Sequence, residues 1–331
     1  MRAALVYDYG DPDVFRVEDF PTPTPGPGQC LVEVRAAACN PVDYKMRQGH
    51  YRAVVRYPLP HIFGLDLSGV VRALGEGVTK FAIGDEVYGS PDHRPQGCYA
   101  EATVIDASAL APKPAQLSHQ QAASLPLVFE TAWQSMVELG GLRSGEHCFI
   151  QAGSGGVGTV AIQIAKYLGA RVTTTCSERN IELVKSLGAD EVVNYREQAF
   201  DEVVREVDLC FDTLGIDAVR RARKIMNPGG RIVGITLNIP DHVRKWGPVL
   251  GFGVLGARLT GLRVRGMLLG PRTLFHTRTP DASCLEHCAR MLDAGALQPC
   301  IDRMYPLEEI AEAHRYLETG RARGKVVIDM G

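Results

Sequence analysis

Six residues, Gly153-Ser154-Gly155-Gly156-Val157-Gly158, have the types and spacing of a turn that can wrap a pyrophosphate. In a Gly-x-Gly-x-x-Gly run the first glycine makes the sharp bend. The second lets backbone N–H groups approach an anion, and the third lets the following helix pack closely on the strand before it. The start of that helix adds a partial positive charge. The pattern is specific only between a strand and a helix, and both are expected here. Cys148 to Ala152 is an apolar run, and Val157, Val160, Ala161, Ile164, Ala165 and Leu168 recur at helical spacing. A dinucleotide suits this arrangement; a flexible turn is the alternative.

About 20 residues further on, folds selective for NAD place an acid on the adenosine 2′-hydroxyl. Here Cys176 takes the acid's register, and Ser177 and Arg179 follow it. A hydroxyl donor and a guanidinium suit a 2′-phosphate, so NADP(H) is expected over NAD(H). The competing assignments are Ser177 as a helix cap, Arg179 as a solvated side chain and Glu178 on a ribose hydroxyl.

The elements around these residues set the fold. From about residue 125, short apolar runs alternate with helix-length segments, as in βαβ units with a parallel sheet. The expected strands are Cys148 to Ala152, Val172 to Thr175, Val192 to Asn194, Leu209 to Asp212, Ile232 to Ile235 and Val264 to Leu268. Before them, β-rich runs such as Cys30 to Arg35 and Leu67 to Val71 are punctuated by Pro and Gly, which predicts a mainly antiparallel β domain. Beyond about 275 two amphipathic helices are expected, one with Cys284, Leu285, Cys288, Met291 and Leu292 on its apolar face. The other has Pro306 at its first position, Glu308 and Glu309 in its first turn and Gly320 at its stop. Lys325 to Asp329 reads as a final strand returning to the first domain.

Composition narrows the function classes. The chain has 331 residues, 45% hydrophobic, and its 36 basic and 38 acidic residues leave a net charge of -2 with no long basic run, so nucleic acid is not an expected partner. The apolar start is too short for a signal peptide, and the run from Trp246 to Ala257 is too short to span a bilayer. Nine scattered cysteines point to reduced thiols and a cytoplasmic location.

Beyond the glycine turn, the chain carries Asn40-Pro41-Val42-Asp43, Gly64-Leu65-Asp66-Leu67-Ser68-Gly69, Gly84-Asp85-Glu86-Val87 and Gly324-Lys325-Val326-Val327-Ile328. With these motifs it resembles the medium-chain dehydrogenase/reductases, specifically their zinc-free quinone oxidoreductase branch, which includes zeta-crystallin-like enzymes. The resemblance implies an α/β fold: a GroES-like β domain (1–124 and 275–331) joined to a central Rossmann doubly wound parallel sheet (125–274). It also implies a homodimer.

Zinc members of the superfamily have a ligand cysteine where Asn40 stands, and Gly-His-Glu at the place of Gly64-Leu65-Asp66. Leucine cannot ligate a metal and asparagine does so poorly, so no metal is expected. Cys39 lies one residue off the ligand position. Cys284 and Cys288 read as part of a helix's apolar face, with His287 pointing away from it, rather than as a metal site.

Without a Lewis acid, alcohol oxidation by the usual superfamily route loses its driving group. Reduction of a quinone or another α,β-unsaturated carbonyl needs only hydride, a hydrogen-bond donor for the enolate and a proton. The resemblance places Tyr51 and Lys45 near such a substrate, with Asn40 orienting the nicotinamide ribose or the substrate carbonyl; a packed surface tyrosine is the alternative for Tyr51. It also implies that Thr131 lies near the nicotinamide phosphate, Tyr195 beside the adenosine, Gly234 and Ile235 at the nicotinamide pocket and Lys325 on the diphosphate. Thr131 as a plain helix residue and Lys325 as an exposed strand end are the alternatives. The segment from Leu237 to Thr277 is expected to form a wall over the substrate or a dimer-facing insertion. Two other functions stay open: an enoyl-thioester reductase, with Arg52 and Arg56 meeting a carrier's phosphates, and a non-catalytic NADPH-binding regulatory protein.

Overall fold

A computed structural model describes all residues except 53–54, 93–96, 238–245, 248–249, 251–252, 263, 265 and 267–269. The chain divides into two compact units, Met1–Glu130 with Thr279–Gly331, and Thr131–Arg278. These limits fall six and four residues beyond the expected 124/125 and 274/275 boundaries.

The first unit is built on a seven-stranded sheet. Strand Gln29–Cys39 lies at its centre, antiparallel to Leu67–Leu74, to Ala102–Asp106 and to the late strand Lys325–Asp329. Along Gln29–Cys39, burial alternates at first and then becomes continuous over Ala36, Ala37, Ala38 and Cys39. Ala36 and Ala38 pack with Ala123 of helix His119–Ala123 and with Val327, and these small side chains let the helix cover that face. A separate three-stranded sheet pairs Arg2–Val6 with Phe15–Asp19 and His61–Ile62. The main core of the unit gathers Leu5, Val32, Phe63, Tyr99, Leu110, Ile310 and Val326 from both chain segments.

The helix carrying Cys284, Leu285, Cys288, Met291 and Leu292 spans Ala282–Asp293, and all five are buried. The last helix begins later than expected. Pro306 ends a strand, Ile301–Pro306, that the sequence did not signal, a single 3-10 turn holds Glu308 and Glu309, and the α-helix runs Ile310–Glu318. Gly320 follows it with φ 65°, a left-handed stop natural for glycine.

The second unit is a six-stranded, all-parallel sheet in the order Glu191–Asn194, Arg171–Cys176, His147–Ile150, Val207–Asp212, Met226–Gly234, Arg272–Phe275. Numbered along the chain this is 3-2-1-4-5-6, the dinucleotide-binding order, whose crevice lies at the carboxyl ends of strands 1 and 4. The sixth strand is Arg272–Phe275, not the expected Val264 to Leu268: Val264 and Gly266 are helical, and the other three positions lie outside the described residues. Alternation over a few residues does not by itself distinguish a strand from a buried turn of helix. The expectation for Leu237 to Thr277 likewise falls partly outside the described residues; within it, 253–262 is helical.

Candidate functional site

In the sheet unit, the chain leaves strand His147–Ile150 and turns sharply into helix Gly156–Tyr167. Ala152 takes a left-handed φ of 53°. A Cβ on Gly153 would lie 2.1 Å from Thr174 Oγ1, and one on Gly158 2.3 Å from the Ala152 carbonyl, so both glycines are required by close packing. Gly155 differs. A Cβ there would meet nothing nearer than the Ala152 carbonyl at 3.4 Å, so the fold itself has room for it. The helix carries no side-chain cap and no acid in its first turn. Its first intrahelical bond is Thr159 N to Gly155 O at 2.9 Å, so the amides of Gly156, Val157 and Gly158 precede the ladder and are free to meet an anion. A turn with open space above Gly155 and unsatisfied amides behind it fits a pyrophosphate.

The end of strand Arg171–Cys176 lies next to this turn: Gly153 N donates to Thr175 O at 2.9 Å and Ala152 N to Thr175 Oγ1 at 3.0 Å. Ser177 is buried and stands at the cap position of a 3-10 turn, but its hydroxyl makes no capping bond. Asn180, which the sequence reading missed, ties the region together. Its Nδ2 donates to Ser154 Oγ at 2.9 Å and to Ser177 Oγ at 3.4 Å, while its buried Oδ1 has no partner among the described residues. Only its place three residues after Ser177 could have signalled it. Arg179 is exposed two residues from Ser177, and Tyr195, 57% exposed, is joined to the same strand end by Tyr195 N to Cys176 O at 3.2 Å. Ser154, Ser177, Arg179 and Tyr195 therefore share one corner of the unit. Gly234 ends the fifth strand, Met226–Gly234, and Ile235 follows it, its N donating to Asp212 O at 3.0 Å. Thr131 is buried near the end of helix Pro126–Trp133.

In the β unit the candidates separate. Pro41 starts helix Pro41–Arg47, and Asp43 caps it by accepting from Asn40 N at 2.7 Å. The Asn40 side chain turns inward instead. It is 1% exposed, and its Nδ2 donates to Asp66 Oδ2 at 2.8 Å. Its Oδ1 accepts from Lys325 Nζ in a short contact, and Lys325 Nζ also pairs with Asp66 Oδ2 at 2.8 Å. The other Asp66 oxygen accepts from Leu127 N at 2.7 Å. Lys325, expected on the diphosphate or as an exposed strand end, is 4% exposed and engaged with Asn40 and Asp66 inside this unit. The sequence reading missed Asp66 as its partner.

Beside this triangle, Tyr99 OH donates to Asp43 Oδ2 at 2.9 Å. Burial pushes the Asp43 carboxyl up to about 7, against the lowering effect of Tyr99, the Asn40 amide and Lys325. Burial likewise pushes the Cys39 thiol up to about 12, which leaves it inert as a nucleophile. Tyr51 is half-buried against the core, and burial, then Tyr44, raises its hydroxyl above the ordinary value, so it stays a proton donor. Lys45 is half-buried on helix Pro41–Arg47, and its carbonyl accepts from His50 N at 3.0 Å.

Residues 26–115 match the family described as Alcohol dehydrogenase GroES-like domain, and residues 187–328 match that described as Zinc-binding dehydrogenase. The NADPH-dependent alkenal/one oxidoreductase, chloroplastic, of Arabidopsis thaliana is 32% identical over 99% of this chain and 79% of its own length. The quinone oxidoreductase structure from Coxiella burnetii superposes with a TM-score of 0.85 at 31% identity, covering 100% of this chain and 99% of that one. A structure described as NAD-dependent alcohol dehydrogenase gives a TM-score of 0.83 at 34% identity, covering 100% of both chains. The chain belongs to the medium-chain dehydrogenase/reductase family.

Within this medium-chain dehydrogenase/reductase, the residues at the catalytic-zinc positions do not suit a metal. Asn40 and Leu65 replace the two ligands that the resemblance places there. The neighbouring carboxylate, Asp66, is already paired with an ammonium, whose positive charge opposes a second cation.

Proposed function

We propose that this protein is an NADPH-dependent reductase of quinones and other α,β-unsaturated carbonyls that works without zinc. The observation that carries the reading is the Lys325–Asp66–Asn40 triangle: with an ammonium in place of metal donors, the acceptor must be activated by its own conjugation. The names of the alkenal/one and quinone oxidoreductase relatives support the same substrate class. An alcohol dehydrogenase relying on a metal would need the donors that Asn40 and Leu65 lack.

When bound, reduced nicotinamide supplies the hydride. The amides of Gly156, Val157 and Gly158 hold the diphosphate, with Ser154 and Gly155 shaping the approach and Gly153 making the bend. Ser177 and Arg179 receive the 2′-phosphate, Tyr195 flanks the adenosine, and Thr131, Gly234 and Ile235 border the nicotinamide end. Tyr51, held protonated by burial, donates to the enolate oxygen or protonates carbon. Lys45 offers a second donor on the same unit. Asn40 serves by shape and polarity, since an amide does not titrate near neutral pH.

A cytoplasmic homodimer belongs to the same proposal. It is supported by the odd number and scatter of the nine cysteines and by strand Arg272–Phe275 at the edge of the parallel sheet. Among the described residues no helix is long and apolar enough to cross a membrane. Sedimentation of the pure protein and fluorescence imaging of the tagged chain test assembly and location.

The deciding experiment incubates the pure protein with NADPH or NADH and a panel of quinones, enones, an enal and an enoyl thioester, following nicotinamide absorbance. Turnover of quinones or enones with NADPH, in protein free of stoichiometric zinc, is expected. Preference for the thioester would instead favour an acyl-carrier substrate meeting Arg52 and Arg56. Tight NADPH binding with no turnover would favour a regulatory protein, and one zinc per chain would overturn the metal-free reading.

A further inference from the structure

Lys325 opens the strand Lys325–Asp329 and sends its side chain into the interior, where a lone ammonium would be strongly disfavoured. Its charge is met by Asp66 at 2.8 Å, and a second of its three N–H donors goes to the Asn40 side-chain oxygen. Asn40 and Asp66 also bond each other at 2.8 Å, and Leu127 N takes the last carboxylate oxygen at 2.7 Å. This closed triangle has a directional consequence. The amide oxygen of Asn40 must face the ammonium and its nitrogen the carboxylate, because a flip would set NH2 against NH3+ and oxygen against oxygen. A buried pair of this kind is weak evidence for added stability, since an apolar pair of equal volume often packs as well. What it does supply is one fixed orientation of a buried amide.

We propose that Lys325 is a positioning residue: a built-in cation that holds Asp66 and Asn40 in one arrangement for the reductase reaction, rather than a contact to the cofactor diphosphate. The proposal deepens the reading of the same site given above and rests on it where turnover is the readout. Asn40, so locked from within, fixes the chain at the start of helix Pro41–Arg47, and the adjoining Asp43 cap keeps its register.

The test uses the size of the lysine side chain, which beyond Cβ is three methylenes and an ammonium, the shape of propylammonium. Lys325→Ala is expected to melt at lower temperature and to lose kcat about 10- to 100-fold, with NADPH affinity changed less than about threefold. Added propylammonium should restore both melting temperature and kcat. Propanol, of the same shape without charge, and tetramethylammonium, charged without donors, should restore neither. A tenfold loss of NADPH affinity with kcat kept would return Lys325 to the diphosphate and overturn the proposal; so would the absence of any rescue specific to propylammonium. If Lys325→Ala does not fold, Lys325→Met/Asp66→Asn, which leaves no buried charge alone, carries the test. It should bind NADPH as the wild type does and turn over more slowly, and wild-type kcat would sink the idea. Failure of the reductase reading itself is visible separately, as wild-type protein without turnover on any acceptor, and the thermal rescue then decides alone.

Discussion

Gln151 Nε2 donates to Asp212 Oδ2 over 2.8 Å, bridging the carboxyl ends of strands 1 and 4 of the parallel sheet at its crevice. The other Asp212 oxygen accepts from Gly215 N at 2.7 Å, while Gln151 Oε1 is buried without a partner among the described residues. Burial pushes the Asp212 carboxyl from 3.8 up to about 7 despite the bonds from Gly215, Leu214 and Gln151. The folded state therefore binds this proton more tightly than the unfolded chain. The resulting stability is complete below the unfolded value, falls as pH rises from about 4 to 7, and is absent above it. Asp212→Asn removes the charge and, after rotation of the Gln151 amide, gives Oε1 a donor. Thermal melting at pH 5 and pH 8 should show the variant gaining on the wild type at the higher pH. A wild type that gains on the variant instead would contradict the assignment. Asp43 has the same sign, so some slope should persist in the variant.

The three glycines of the turn should separate stability from binding. Gly158→Ala sets a Cβ 2.3 Å from the Ala152 carbonyl and Gly153→Ala one 2.1 Å from Thr174 Oγ1, so each should cost about 2 kcal/mol or more in unfolding experiments. Gly155→Ala should cost no more than about 1 kcal/mol, the loss of a favoured N-cap residue, yet weaken NADPH at least about tenfold, because its Cβ takes the space a pyrophosphate would use. Calorimetric titration beside denaturation checks both halves. Equal stability losses at all three positions would show that Gly155 is structural too.

Cofactor choice is tested at Arg179. Arg179→Ala should weaken NADPH about tenfold, roughly 1.4 kcal/mol, and leave NADH within a factor of about two. Equal loss for both cofactors, measured by titration of the nicotinamide fluorescence, would remove Arg179 from the 2′-phosphate.

Ala152 holds a left-handed backbone, φ 53°, that glycine adopts freely. Ala152→Gly should therefore stabilise the fold by about 0.5–1 kcal/mol, the relieved strain less the added chain entropy. A lower melting temperature would show that the methyl group contributes more packing than its backbone costs.

The elements legible in the sequence were those whose cause is local. The glycine spacing, the helical stripe from Val157 to Ala165 and the first five parallel strands each depend on neighbours within a few residues, and each is present. The misplaced features had distant causes. A lysine at a strand start reads as exposed, and only Asp66 and Asn40, 259 and 285 residues away along the chain, make Lys325 a core residue. Ile301–Pro306 is a strand because Lys325–Asp329 offers it a parallel partner, which its own sequence, with half its residues only partly buried, does not signal. Asn180 and Gln151 became visible as site residues only once strand order put their partners beside them.

Strand Lys325–Asp329 is inserted one place in from the edge of its sheet, between Gln29–Cys39 and Ile301–Pro306. During synthesis the ribosome must therefore deliver the 131–278 sheet, all of whose strands are already available, long before the β unit can close. Until the final strand emerges, Asp66 and Asn40 have no cation and the central strand lacks its partner over Ala36–Cys39. This ordering makes the nascent β unit, rather than the nucleotide unit, the part most exposed to chaperones and to edge-to-edge aggregation.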